Sequence, residues 1–134
     1  MKHWAGCIPK LERRFITKGK RMSRRSKYNA RPVTIKGITF DSQKEADRYL
    51  VLLSRHQEGE ITMLEVHPRF ELQPAFTHKG KKYRAINYEA DFEYIDNDYN
   101  HVVEDVKGVE TPVFKLKMKM FLRQYPHIDF RIVR

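Results

Sequence analysis

KKYRAINYEADFEYIDNDYNHVVEDVKG, residues 81–108, holds two apolar-rich runs on either side of the turn-forming DNDYN. Residues 83–95 and 101–107 read as two strands, with 96–100 as the loop joining them into an antiparallel hairpin. The second strand is rich in valine, yet it carries Glu104, Asp105 and Lys107. Charges in a buried strand cost several kcal/mol each unless paired or bound to a metal. Closing the loop with Ile95 opposite His101 sets Asp91 opposite Asp105. Alternation then puts Asp105 and Lys107 on one face and Glu104 on the other. Two facing carboxylates repel unless a cation lies between them. Hard oxygen ligands suit Mg²⁺ or Mn²⁺. The plainer alternative is an Asp105–Lys107 ion pair on an exposed sheet face, worth under about 1 kcal/mol.

Outward from this hairpin, the chain alternates strand and helix signals. RPVTIKGITF (31–40) reads as a small hairpin turning at Lys36-Gly37. Ser42 with Glu45 three residues on is a capping-box pattern, and it predicts a helix over 43–57 closed by Gly59. A strand is expected around 68–73, between Pro68 and Pro74. Thr111-Pro112 is an N-cap and first-turn pair that starts a helix at 112–124, before Pro126. HIDFRIV (127–133) alternates and reads as the last strand. The order hairpin, helix, three strands, helix, strand predicts an α/β sandwich with a mixed sheet.

The 134 residues suffice for one core, and no run of 18 apolar residues marks a membrane span. The opening MKHWAGCIPKLERRF is basic and lacks the apolar stretch of a secretory signal. One cysteine, Cys7, allows neither an internal disulfide nor a cysteine zinc site and fits a reducing compartment. The six histidines show no metal-ligand spacing and are assigned no role.

Charge is unevenly placed. Residues 1–27 hold ten Lys/Arg and one acid, hence +9, whereas 28–134 hold 17 basic and 16 acidic residues, hence +1. The first segment reads as a mobile basic arm whose Lys18, Lys20, Arg21, Arg24, Arg25 and Lys27 suit a polyanion, nucleic acid first. A solubilising tail or an acidic protein partner stands as the alternative.

On the first helix, Leu52, Tyr49, Leu53, Ala46 and Leu50 define the apolar arc, and Glu45 lies inside it. Glu45 therefore points toward the sheet, near the positive end of the helix dipole. A purely structural cap is the competing role, and the two are compatible. On the second helix, Val113, Phe114, Leu116, Met120 and Phe121 are expected in the core. Lys115, Lys119 and Arg123 form a basic stripe, which is either a solvated face or a track for phosphates.

Asp91 after an apolar strand, then Asp105-Val106-Lys107 in the next strand of a hairpin, resembles the PD-(D/E)XK nuclease superfamily. Glu45 on a preceding helix is a frequent further element of that pattern. The segments ITFDSQKEADRYL, FELQPAF, KKYRAINYEADFEY, VVEDVKG and FKLKMKMF, in that order, resemble a small phage and prophage family of unknown function placed in that superfamily. Glu89-Ala90, not proline, precedes Asp91, a common departure. The resemblance runs from about Tyr28 to Val133 and leaves the arm outside. It implies a restriction-endonuclease-like core and hydrolysis of DNA phosphodiester bonds in the cytoplasm of a bacterial host. Asp91, Asp105, the Val106 carbonyl and Glu45, directly or through water, would hold Mg²⁺ or Mn²⁺. Lys107 would orient water or neutralise phosphate. Branched DNA such as a Holliday junction is an expected substrate, and symmetric cutting of it requires a homodimer. No small-molecule cofactor is expected. A non-cleaving DNA-binding accessory protein and an RNA-processing nuclease are the alternative readings.

Overall fold

The computed structural model describes residues 31–134; the basic arm falls outside the described residues. β1 (Val33–Ile35) and β2 (Ile38–Phe40) form the expected small hairpin. Its turn residues Lys36 and Gly37 both have positive φ, the geometry that lets a two-residue loop follow the strand twist. Ser42 then caps α1 (Gln43–Gln57), its Oγ accepting from the Glu45 N–H. After α1 come β3 (Ile61–Val66), β4 (Arg69–Gln73), β5 (Phe76–His78), β6 (Lys81–Tyr83), β7 (Ile86–Glu89), β8 (Phe92–Asp96) and β9 (His101–Val106). α2 (Pro112–Gln124) starts at the Thr111 cap, and β10 (Asp129–Val133) ends the fold. No helix among the described residues is long and apolar enough to cross a membrane.

The class is α/β with a mixed sheet. Its order is β10-β9-β8-β3, with β10 parallel to β9 through the α2 crossover and the other pairs antiparallel. α1 covers one face, where Ala46, Tyr49 and Leu52 pack with Phe92, Tyr94, Val102 and Val106. α2 covers the other, where Phe114 and Phe121 pack with Phe70, Tyr88, Val103 and Ile128.

Two strand expectations need correction, and β3 and the β5–β6 hairpin are additional. The single strand over 83–95 is two strands, β7 and β8, that break at Ala90-Asp91 and lie in different sheets. β3 is not foreseen by the pattern, because ITMLEV lacks clean alternation; Met63 at φ 55° marks a bulge that shifts its register. The β5–β6 hairpin is also additional, although it turns at Lys79-Gly80, the same residue types with similar positive φ values as the first hairpin. The last strand begins at Asp129 rather than 127, because His127 and Ile128 follow Pro126 in a turn.

Together, residues 61–96 make one long antiparallel ribbon. β3 pairs with β8, β4 with β7, and β5 with β6 as successive rungs. Val66↔Phe92 and Arg69↔Glu89 keep the same register across the first break. That break falls at His67-Pro68, facing Ala90-Asp91, and the second follows Gln73-Pro74. Proline lacks the N–H a ladder needs, so it interrupts the strand at both places.

Candidate functional site

The first break in the ribbon carries the site. At Asp91 the chain leaves β7 and enters β8, and its backbone is held from both sides. His67 N–H donates to the Asp91 carbonyl at 2.9 Å, and Asp91 N–H donates to the Glu104 carbonyl at 3.1 Å. The Asp91 side chain then closes the end of the β8–β9 ladder, its Oδ2 accepting from the Val106 N–H at 2.6 Å. The ladder runs in the expected register, from Ile95↔His101 to Phe92↔Glu104, so Asp91 and Asp105 are next in line.

Strand alternation disposes of the charges in β9 as expected. Glu104 faces α1, fully buried, where Arg48 grips it through two hydrogen bonds of 2.8 and 2.7 Å and the Tyr94 hydroxyl donates at 2.5 Å. Burial pushes the Glu104 carboxyl up, but Arg48 and Tyr94 hold it below its ordinary value. Burial, together with this carboxylate, raises the Tyr94 phenol to about 12. Arg48 lies outside the apolar arc of α1, yet its long side chain reaches back to Glu104 on the sheet face.

Asp105 faces the other way and is 1% exposed. The Tyr88 hydroxyl donates to its Oδ2. Lys107 Nζ lies 2.9 Å from its Oδ1, yet off the direction of a hydrogen bond, so this buried oxygen accepts none. Burial first, then the Asp105 charge, raise the Tyr88 phenol, which therefore stays protonated as a donor. For Lys107, burial pulls the ammonium down, but Asp105, Asp91 and Glu45 outweigh it and hold it above its ordinary value. Lys107 is thus a cation at neutral pH.

Asp91 is the perturbed group. Burial, then the charges of Asp105 and Glu45, push its carboxyl up to about 8, against the opposing pull of the Val106 N–H and Lys107. Glu45 is raised as well, mainly by burial. Its Oε2 accepts from the N–H of Asp41, the residue before the Ser42 cap, at 3.2 Å, so Glu45 secures the helix start one residue earlier than the capping box expects. Glu45 also meets Asp91 and His67: one ligand atom from each lies within 4.8 Å of the others. Asp105 is not a member of this set, and Val106 meets Asp91 through its N–H.

His67 has no role on sequence spacing alone. It reaches the cluster because it sits at φ 53° immediately before Pro68, a conformation that turns it out of the ribbon at the break. The dipeptide His67-Pro68 opposite the Asp91 acid is the signal that would have flagged it.

A groove opens beside Asp105 and Lys107 between β7 and α2. Its first hollow, about 370 Å³, is also lined by Arg69, Asn87, Thr111 and Lys117. A second hollow, about 450 Å³, shares Arg69 and Lys117 and runs to Ala85 at the base of the β5–β6 hairpin. Lys117 Nζ donates to the Asn87 carbonyl at 2.9 Å, which fixes its ammonium at the groove wall. Lys115, Lys119 and Arg123 are exposed and line neither hollow. Val113 and Leu116, expected in the core, are 63% and 61% exposed at the groove rim. Leu50 of α1 is likewise exposed. Among the described residues, no further strand lies over these positions to cover them.

A family model described as a protein of unknown function (DUF1064) matches residues 25–134. The chain belongs to that family. No curated protein and no solved structure matches it. The match begins at Arg25, so most of the basic arm precedes the part the family shares, and the whole cluster around Asp91 lies inside it.

Proposed function

We propose that this protein is a divalent-metal-dependent nuclease that hydrolyses phosphodiester bonds in DNA. The observation that carries the reading is the meeting at one sheet break of Glu45, His67 and Asp91 with the buried Asp105 and its partly exposed ion-pair partner Lys107, beside a groove lined by cations. The resemblance of Asp91 and Asp105-Val106-Lys107 to the PD-(D/E)XK pattern supports it.

The residues fit a divalent cation. Asp91 resists ionising when nothing neutralises its neighbours, and Asp105 Oδ1 is a buried acceptor without a hydrogen bond. Asp91, Glu45 and His67 would hold the ion, with Asp105 next to them. An imidazole in the set shifts preference from Mg²⁺ toward Mn²⁺ and its transition-metal neighbours. When bound, such an ion supplies Lewis acidity and lowers the pKa of a coordinated water. Lys107, cationic and donating, neutralises the attacked phosphate; it cannot serve as a base. Tyr88 fixes the Asp105 carboxylate so that one oxygen stays turned away from the phenol. Arg69 and Lys117 hold flanking phosphates along the groove.

The test is incubation with supercoiled, linear, single-stranded and four-way-junction DNA in Mg²⁺, Mn²⁺ and EDTA. Cleavage is expected in Mn²⁺, more weakly in Mg²⁺, and not in EDTA. Asp105→Asn keeps an acceptor for Tyr88 and should abolish cutting, and Lys107→Ala should slow it by about a hundredfold. Absence of cutting on every substrate, or cutting that persists in EDTA, overturns the reading.

A further inference from the structure

The β5–β6 hairpin has no part in the cluster at Asp91, and its composition is unlike the rest of the domain. Residues 76–84, FTHKGKKYR, contain Lys79, Lys81, Lys82 and Arg84 and no acid. The described residues hold 17 basic and 16 acidic side chains, so removing these four leaves 13 against 16. The hairpin is thus a cationic projection on an otherwise slightly acidic body. Residues 74–84 are all exposed, and the two strands pack on each other at the far end of the ribbon.

An isolated two-stranded hairpin is marginal in water, and this one is braced by an aromatic pair. Phe76 pairs with Tyr83 across the ladder, their rings stacked at 4.9 Å and 9°. The pair is 46% and 39% exposed, a large apolar surface left open at the base of a basic hairpin. His78 pairs with Lys81, so Phe76, Tyr83, His78 and Lys81 share one face. Lys81 Nζ lies 5.3 Å from the centre of the Tyr83 ring. Flat rings flanked by ammonium groups suit stacking against bases with phosphates held alongside.

We infer that the β5–β6 hairpin is a nucleic-acid grip that takes unpaired bases on its Phe76–Tyr83 face and the adjoining phosphates on Lys79 and Lys81, with Lys82 on the opposite face adding to the local positive charge. The groove along β7 connects the base of this hairpin to Asp105 and Lys107, so one strand can occupy both. The inference rests on the reading of the protein as acting on nucleic acid, but not on its cutting.

The test is fluorescence anisotropy of the full chain in EDTA, with a labelled single strand and a duplex of about 20 units. Phe76→Ala/Tyr83→Ala should weaken single-strand binding by about tenfold and leave duplex binding within about twofold. Phe76→Leu/Tyr83→Leu keeps an apolar cross-strand contact but no ring face, and should lose the same affinity if the hairpin still forms. Lys79→Gln/Lys81→Gln/Lys82→Gln should lower the slope of log K against log salt by about two on single strands. Unchanged single-strand affinity in both aromatic variants overturns the inference, as does an equal loss on duplex. A protein that shows the aromatic loss and never cuts keeps the grip and loses the proposed activity.

Discussion

Asp91 is half-buried and Glu104 fully buried near one sheet end, and their surroundings drive them apart. Glu104 is answered by Arg48 and Tyr94 and stays ionised; Asp91 is raised to about 8, by desolvation first and then by the other carboxylates it faces. Its ordinary value is 3.8. A raised acid binds its proton more tightly when folded, so this stabilisation is complete below 3.8 and lost as pH rises through about 8. The metal-free protein should therefore lose a few kcal/mol between about pH 4 and 8. Asp91→Asn should flatten that slope and raise the melting temperature at pH 8. Denaturant melts across pH check it, and identical slopes would detach Asp91 from the effect. Cation binding at pH 7 should also release about one proton, seen by calorimetry in buffers of different ionisation heat. Arg48→Met strands the Glu104 carboxylate; with Arg48 partly exposed, the cost should be about 3 kcal/mol. Arg48→Met/Glu104→Gln should recover much of it, and a single variant as stable as wild type would make the pair dispensable.

At the level of the element, α1 does two things with its first turn. Ser42 caps the helix, and Glu45 both accepts from Asp41 and meets His67 and Asp91. The two duties separate by substitution. Ser42→Ala should cost about 1 kcal/mol of stability and leave Mn²⁺ affinity unchanged. Glu45→Gln keeps an acceptor for Asp41, so melting should hold while Mn²⁺ affinity, read by calorimetry, falls at least about tenfold. Unaltered affinity would leave Glu45 a cap alone. The 61–96 ribbon shows the same economy: Pro68 breaks it where His67 must turn toward the acids, and Pro74 breaks it before the basic tip.

For the molecule as a whole, the charge distribution is the feature to test. Residues 1–27 carry +9 of the net +10, and the remainder is close to neutral because the cationic β5–β6 hairpin offsets a slightly acidic body. Replacing Lys18, Lys20, Arg21, Arg24, Arg25 and Lys27 by Gln should weaken DNA binding and its salt dependence together. Each phosphate that is no longer neutralised lowers the slope of log K against log salt by about 0.7–0.9, so four such phosphates amount to about three units. Cation affinity at the Asp91 cluster should not change. A slope equal to wild type would assign those charges to a protein partner or to solubility.

Both helices were legible to the residue, because Ser42 and Thr111 satisfy N–H groups three positions away and the signal lies within one turn. The β8–β9 register was legible for a similar reason: a five-residue loop and one alternation settle which side chains share a face. Hence Asp105 and Lys107 could be placed together and Glu104 apart from them. Other features depended on distant parts of the chain. The expected strand over 83–95 breaks because Pro68, well upstream, interrupts its partner. His67 joins the acids only through that break. Val113 and Leu116 continue the apolar face of α2, but burial needs a covering element, and the sheet supplies none there. Amino-acid sequence alone determined what adjacent residues could decide by hydrogen bonding and alternation. Which charges meet, and which apolar groups remain bare, was decided by the tertiary structure, because both depend on segments brought together from far apart in the chain.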